Sequence, residues 1–393
     1  MTRILPGTHG ADGRPATLGV MGGGQLGRMF VQAAQSMGYF TAVLDPDPTS
    51  PAGLVAHYHI QAEYLAEQGL AQLMQRSSAI TTEFENVPAT ALYTLGAQRP
   101  VAPSAECVAV CQDRAVEKQH FVDSGVRCAA FARIESPADL VALPDGLLPG
   151  ILKTARLGYD GKGQSRAADR AALARAWDEL KRVPCVLEQW LPLAHEISVI
   201  VARHADGSCA HLPVQQNLHR DGILAVTQVP APDVAQVLCL QAIDAATRLA
   251  RAMHYVGVLC VEFFILDDGS LVANEMAPRP HNSGHYSLDA CDVSQFELQV
   301  RCLAGLPLMQ PRLHSPAVML NLLGDLWFDR DQRECVPDWA AVLALPGTHL
   351  HLYGKASPRR GRKMGHLTVT AADATGARSV ALQAASLLGL PAF

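Results

Sequence analysis

Two glutamates on either side of a tight turn have the spacing that most directly implies chemistry in this chain. Residues 256–266 (VGVLCVEFFIL) and 271–276 (LVANEM) are β-rich runs flanking Asp267-Asp268-Gly269-Ser270. An Asp268-Gly269 pair between such runs predicts a two-residue hairpin turn. A regular hairpin about that turn sets Glu262 opposite Glu275. Directly opposed Cβ atoms lie about 4.5–5.5 Å apart, where like charges repel unless a cation or a proton intervenes. A pair of carboxylates suits Mg2+, which combines one or two of them with substrate phosphates. Two solvated glutamates on an exposed face are the plain alternative. Glu262 sits inside CVEFFIL and Glu275 is flanked by Ala273 and Met276, so the metal reading is favoured.

Two glycine segments point to phosphate. Lys153 ends the apolar strand-like stretch GILK, just before residues 158–163, GYDGKG. A lysine beside a mobile glycine loop supplies a point charge for phosphate oxygens. No GKS or GKT follows, which excludes a Walker A loop. Taken alone, such a loop is more commonly a plain surface turn; the carboxylate hairpin downstream makes that the minority reading. Gly22-x-Gly24-x-x-Gly27 follows an apolar stretch and precedes a helical pattern, and Asp45 ends the next strand-like run. That is the dinucleotide fingerprint, yet its physics specifies only an anion at a helix N-terminus, not a nicotinamide. A tight strand-to-helix turn with no ligand accounts for the glycines about as well.

The elements that must position these residues are legible in outline. Residues 16–21 read as a buried strand, 25–37 as a helix and 41–44 as a second strand, the start of a parallel α/β unit that continues to about residue 113. Residues 113–124 read as a helix, 150–153 as a strand, 169–182 as a helix, 184–189 and 196–203 as strands, and 233–254 as a long helix before the hairpin. This order is α+β rather than strict βαβ. From about residue 311 the pattern is of short β-like segments, with the basic cluster RRGRK at 359–363. The first fifteen residues read as a flexible extension.

Composition narrows the class. A chain of 393 residues exceeds what one core organises, so two or three domains sharing a cleft are expected. The net charge of -5, without long like-charge blocks, gives no footprint for nucleic acid. No apolar run of membrane-spanning length and no signal peptide is visible. Ten scattered cysteines form no CxxC pair; Cys107 and Cys111 read as small buried hydrophobes. We expect a reducing cytoplasm, with neither disulfides nor structural zinc.

Taken in order, GGQLGRM at 23–29, ITTEFENV at 80–87, the Asp113-Arg114 and Lys118 helix, GYDGKGQ, LEQW, QNLHRDGI, NEMAPRPHNSGH at 274–285, SQFE at 294–297 and GRKMGH at 361–366 resemble the 5-(carboxyamino)imidazole ribonucleotide synthases of the ATP-grasp superfamily. The resemblance runs through most of the chain. It implies an ATP-grasp architecture: a Rossmann-like α/β domain over 16–113, a two-lobed grasp domain over 114–310 and a small β-rich domain over 311–393. It implies ATP, bicarbonate and aminoimidazole ribonucleotide as substrates, carboxyphosphate as intermediate and Mg2+ on Glu262 and Glu275, with no NAD, no biotin and a homodimeric assembly.

By the same resemblance Arg114 and Lys153 contact nucleotide phosphates, and Gly158, Tyr159, Asp160, Gly161, Lys162, Gly163 and Gln164 cover them. Glu188, Gln189, Trp190 and Leu191 hold adenine, Glu196 the ribose, and His219 and Asn274 complete the nucleotide site. The ribonucleotide lies near Gln25, Leu26 and Glu83, with Lys355, Arg359, Arg360 and Arg362 at its phosphate. Arg279, His281, Asn282 and Ser283 line the acyl-transfer region, and Asp160 lies near the accepting amine. For His281 and His285, a structural place in a polar loop competes with proton transfer, as it does for His219. A formate-dependent glycinamide ribonucleotide transformylase, an NAD oxidoreductase and a non-catalytic binding protein are the rival readings.

Overall fold

The computed structural model describes residues 3–10, 13–144, 146–158 and 162–393. Tyr159, Asp160 and Gly161, expected over the phosphates, lie outside the described residues. Strands β1 (Thr17–Met21), β2 (Phe40–Leu44), β3 (Tyr58–Ile60) and β4 (Ala79–Thr82) form a parallel sheet in the order β3-β2-β1-β4. Every residue of β1 and β4 is buried, as strands covered by helices on both faces require. Because β1 and β4 are neighbours, the glycine turn after β1 and the loop after β4 meet at the same sheet edge.

Strands β5 (Phe131–Ile134), β6 (Gly150–Thr154), β7 (Gln164–Ala167) and β8 (Cys185–Gln189) make an antiparallel sheet, ordered β5-β8-β6-β7. The helix Arg170–Glu179 buries Leu173, Ala176 and Trp177 against it. A nine-stranded sheet follows: β9 (Leu193–Arg203), β10 (Cys209–His211), β11 (Gln215–Arg220), β12 (Ile223–Val229), β13 (Gly257–Leu266), β14 (Leu271–Ala277), β15 (Ala317–Leu323), β16 (Thr348–Leu352) and β17 (Lys363–Thr370). Its path is β14-β13-β9-β11-β12-β15-β17-β16, with β10 added beside β9. The expected C-terminal β segments therefore add no sheet of their own. They extend the central one through β12 and β15, because both faces of β15 are apolar and buried and its edges need partners.

Alternation along β13 determines where the chemistry lies. Leu259, Val261, Phe263 and Ile265 pack with Ala242, Ala246 and Leu249 of the helix Gln236–Ala252. Val258 and Cys260 face the other way, onto Leu298 and Cys302 of the helix Gln295–Ala304. Continuing that second face past Cys260 brings Glu262 and Phe264 into open space. Burial of each aliphatic side chain contributes about 1.5–3 kcal/mol, enough to hold the strand register against a slip that would exchange the two faces.

Glu262 does pair with Glu275, but not through the turn expected from the sequence. Leu266 and Ser270 close a three-residue loop, Asp267 to Gly269, with Gly269 at φ +77°. That geometry pairs Phe263 with Ala273 and would carry Glu262 past Glu275 by one residue. A bulge at Asn274 restores the pairing, so that Glu262 meets Glu275 and Cys260 meets Ala277. The extra residue also sets Asn274 and Glu275 side by side on the cleft instead of on opposite faces.

The amino-terminal segment, expected to be flexible, is anchored where it is described. Ile4 N–H donates to the Ala304 carbonyl, the Tyr39 hydroxyl donates to the Ile4 carbonyl at 2.6 Å, and Arg14 donates to the Gln75 carbonyl at 2.7 Å. Removing the Tyr39 hydroxyl by Tyr39→Phe is expected to cost about 1 kcal/mol in urea unfolding and to speed proteolysis within residues 3–10. An unchanged unfolding midpoint with unchanged cleavage would show that the anchor does not matter.

Candidate active site

A cleft of about 340 Å³ opens between the four-stranded sheet β5–β8 and the nine-stranded sheet. The smaller sheet contributes Ile151, Lys153 and Glu188, then Gln189, Trp190 and Leu191 at the end of β8. The larger sheet contributes Glu196, His219, Glu262, Phe264, Asn274 and Glu275, and β17 adds Lys363. The helix Arg114–Asp123 caps one end with Arg114, and the loop after β14 brings Arg279, His281 and Asn282. Apolar walls with a few convergent charges are the usual make-up of a ligand site.

At its floor, positive charge is organised around carboxylates. Arg114 donates to Glu275 at 2.9 Å. Lys118, fully buried, donates to the Asn274 carbonyl at 2.7 Å and lies 3.0 Å from Glu188. Lys153 reaches the other Glu188 oxygen at 3.1 Å. Burial alone would raise the carboxyl of Glu188, but Lys118 and Lys153 hold it down at about 2. Burial lowers Lys153, because its one counter-ion is shared with a second ammonium. Glu117 is pushed up to about 8, chiefly by burial, and near neutral pH adds little negative charge. Arg114, Lys118 and Lys153 thus stand beside the ionised Glu188 and Glu275, and of the three cations Arg114 and Lys153 line the cleft.

The opposed pair shows the conflict its spacing implies. Burial, and then the charge of Glu275, raise Glu262. Burial also acts on Glu275, but Arg114 and Lys153 outweigh it and keep that carboxylate ionised. Glu275 remains 40% exposed toward the cleft, and the buried Asn274 Oδ1 beside it has no partner among the described residues. This oxygen-only donor set fits Mg2+. His281 Nε2 approaches Glu262 at 3.4 Å, and Glu196 forms a short ion pair with His219. Burial opposes protonation of His219, but its bond to Glu196 raises it to about 9.

The loop after β14 is held from behind. Gln295 accepts from His281 N–H and donates to the His281 carbonyl. Ser283, expected to touch substrate, is fully buried. Its hydroxyl contacts His281 Nδ1 at 2.9 Å and Ser198 at 2.9 Å, so it orients His281 instead of lining the cleft. Asn282 lines the cleft, only 7% exposed, and neither its amide nitrogen nor its oxygen has a partner among the described residues. Arg279 is clamped by a short ion pair to Glu85, on the loop after β4.

The glycine turn carries its own anions. Asp45 accepts from Gly23 N–H at 2.7 Å, and Glu83 accepts from Gly24 at 2.8 Å and Gly27 at 3.0 Å. A Cβ on Gly24 would lie 2.5 Å from a Glu83 oxygen. Glu83 was expected at the substrate and instead fills the turn. The N–H groups of Gln25 and Leu26 remain on the first helical turn, where no intrahelical acceptor exists. Arg28 packs against Gly354, which brings Lys355 beside this turn; Lys355 donates to the Lys363 carbonyl at 2.6 Å. Arg362 donates to the Ser357 carbonyl. Arg360 instead faces Asp325 at 4.0 Å, and Arg359 packs its backbone against Gly324.

Two further segments meet the cleft. The Glu188 carboxylate is the counter-ion of Lys118 and Lys153, and Glu188 lines the cleft together with Gln189, Trp190 and Leu191, with Arg166 over the Trp190 ring at 4.4 Å. In the described part of the glycine loop, Gly158 accepts from Arg114 at 3.5 Å, Gly163 accepts from Thr154 N–H, and Lys162 and Gln164 flank it. Lys118, Glu85 and Lys363 lie within motifs read from the sequence but were assigned no role there. Lys118 had a further signal, since four residues from Arg114 places both on one helix face. For Glu85 and Lys363 the role was not legible, because each reaches the cleft only through contacts between distant elements.

Three family models match the chain: a ribonucleotide synthetase preATP-grasp domain over 16–112, an ATP-grasp domain over 119–296, and a phosphoribosylaminoimidazole carboxylase C-terminal domain over 317–379. The N5-carboxyaminoimidazole ribonucleotide synthase of Brucella melitensis is 44% identical over 90% of this chain and 96% of its own; that of Bacillus subtilis is 40% identical over 90% and 91%. An ADP complex of an N5-carboxyaminoimidazole ribonucleotide synthetase superposes with a TM-score of 0.89 at 38% identity, covering 99% of this chain and 98% of that one. The Aspergillus clavatus enzyme in complex with ADP and 5-aminoimidazole ribonucleotide gives 0.86 at 29%, covering 96% and 99%. Sheets and cleft together are those of an ATP-grasp ligase. The chain belongs to the N5-carboxyaminoimidazole ribonucleotide synthase family.

Breaking the buried triad should be costly. Lys118→Met leaves Lys153 and Glu188 as a simple pair and removes the donor to Asn274, whereas Glu188→Gln strands two buried ammonium groups. We expect Glu188→Gln to lose roughly 3–5 kcal/mol in urea unfolding and Lys118→Met to lose less. The opposite order would refute the shared counter-ion.

Proposed function

We propose that the cleft binds ATP and that the chain carboxylates the exocyclic amine of 5-aminoimidazole ribonucleotide, consuming bicarbonate and releasing ADP and phosphate. The observation that carries this reading is the opposed pair Glu262 and Glu275 with Arg114 on Glu275 and the Lys118–Glu188–Lys153 cluster in the same cleft. The names of the 39–44% identical relatives support the reaction. Glu262 and Glu275, with Asn274 Oδ1 beside them, would hold Mg2+. When bound, the ion would neutralise phosphate charge as it develops.

The chain's own residues divide the remaining work. Arg114 and Lys153 receive the nucleotide phosphates, Gln189, Trp190 and Leu191 the base, and Glu196 with His219 the ribose. A bicarbonate oxygen attacks the γ-phosphorus and ADP leaves, giving carboxyphosphate. The amine then attacks the carboxyl carbon, phosphate leaves, and the amine loses its proton. Arg279, released from or shared with Glu85, stabilises the anionic acyl donor. The unpartnered amide of Asn282 donates to the carboxyl group and accepts from the amine. Gln25 and Leu26 take the ribonucleotide phosphate with Lys355 and Arg362 at the converging loop; Asp160, outside the described residues, is retained as the group near the amine. The units 16–113, 114–310 and 311–393, a homodimer and a cytoplasmic setting complete this reading. Ten free cysteines support the compartment, and no helix among the described residues is long and apolar enough to cross a membrane.

ADP release should require aminoimidazole ribonucleotide and bicarbonate together, and formate with glycinamide ribonucleotide should not replace them. Glu275→Gln should lower turnover by roughly 10²-fold or more with an unchanged circular dichroism spectrum. Wild-type turnover in that variant at saturating Mg2+ would remove the carboxylate pair from the mechanism.

A further inference from the structure

On the far side of the catalytic loop, β16 and β17 meet the helix Ser287–Ala290 through histidines that the reaction does not use. His349 and His351 alternate along β16 and so share one face. His351 stands directly opposite His366 on β17, with their rings stacked at 4.5 Å. Asp289 faces this group: His351 Nε2 lies 2.8 Å from Oδ2, and His349 Nδ1 lies 3.8 Å from Oδ1. One donor atom from each of Asp289, His351 and His366 falls within 4.8 Å of the others. His366 is fully buried. Its Nδ1 contacts the Tyr353 hydroxyl at 3.0 Å, while its Nε2 has no hydrogen-bond partner among the described residues.

An imidazole nitrogen buried without a partner is costly and calls for something to face it. Imidazoles converging on one carboxylate are the donor set of a borderline transition metal, not of Mg2+, which prefers oxygen. We propose that Asp289, His351 and His366 form a second cation site, for a divalent metal of the Zn2+ class, with His349 as a fourth donor from the surface. Donors about 2.0–2.1 Å from a tetrahedral ion stand roughly 3.4 Å apart. The His351–Asp289 spacing is already close to that, and the His349 and His351 side chains are only partly buried. The Tyr353 contact on Nδ1 fixes the His366 ring, as the outer partners of metal-binding histidines do. The site abuts the catalytic loop, since the His285 ring lies 4.8 Å from that of His366.

The test uses the full chain with Mg2+ in large excess, so that the cleft carboxylates are occupied, and Co2+ as a visible probe. One equivalent of Co2+ should be retained, with the absorption bands of nitrogen-rich tetrahedral coordination, and Zn2+ should displace it and raise the thermal midpoint. His351→Gln should weaken Co2+ at least tenfold and abolish the thermal shift, while the Glu262→Gln, Glu275→Gln double variant should bind as before. His366→Gln changes a buried side chain and is informative only if folded; the partly exposed His351→Gln stands without it. No retained Co2+, retention unchanged in His351→Gln, or loss in the carboxylate double variant would each overturn the site. None of these results bears on the carboxylation itself.

Discussion

Two carboxylates forced face to face on a β-hairpin are the constraint around which the protein is organised. Like charges at that separation are unfavourable wherever water is scarce, and Glu262 and Glu275 sit at the bottom of a cleft. The repulsion is not relieved by spreading the pair. It is met by cations brought from two other elements: Arg114 and Lys118 from one helix, the second reaching the same strand through the Asn274 carbonyl, and Lys153 from the neighbouring sheet. Each cation must itself be compensated, which explains the buried Glu188 between two lysines. Cleft, sheets and helix are coupled because no partner in this set can be moved without leaving a buried charge behind.

The same constraint accounts for irregularities in the fold. The three-residue loop at Asp267 to Gly269 would by itself misalign the two glutamates, and the Asn274 bulge corrects it at the position where two adjacent side chains are needed on one face. Behind the next loop, Gln295 and Ser283 spend their hydrogen-bonding capacity on His281, so a residue with no regular backbone support is still held in one orientation. The Asn282 amide, left with no partner, is where the loop is not self-sufficient.

Much of this was legible in the sequence, for identifiable reasons. The β-rich runs VGVLCVEFFIL and LVANEM about an Asp-Gly turn located β13 and β14, and the apolar stretches gave β1, β2, β6 and β8 within a residue or two. The Glu262–Glu275 pairing was reached although the assumed turn was wrong, because loop and bulge err in opposite directions. What could not be read was anything depending on contact between distant elements. Glu85 reaches Arg279 across two sheets, Lys363 enters the cleft from β17, and β15 to β17 join the central sheet instead of standing apart. A pattern of short strands reveals that partners are needed but not which edge supplies them. The fate of Ser283 is similar: its neighbours in NSGH suggest a polar loop, and only packing against Ser198 shows that it faces inward.

The glycine turn shows why a motif has to be read through its donors. Gly22, Gly24 and Gly27 match a dinucleotide fingerprint in spacing and in following a strand, and close approach to an anion does require their missing side chains. The anions present are the chain's own. Glu83 and Asp45 occupy the N–H groups of Gly23, Gly24 and Gly27, so a bridging pyrophosphate would have to expel two carboxylates already bonded there. Burial pushes the Glu83 carboxyl up, against the Gly27 and Gly24 N–H bonds and the Arg279 charge that hold it down. What remains for a ligand is the first turn of the helix alone, with two donors and a basic loop nearby. That is room for a terminal phosphate and not for a dinucleotide. What separates the two uses of one fingerprint is therefore chiefly Glu83, 59 positions beyond Gly24 on the loop after β4, which the fingerprint does not contain.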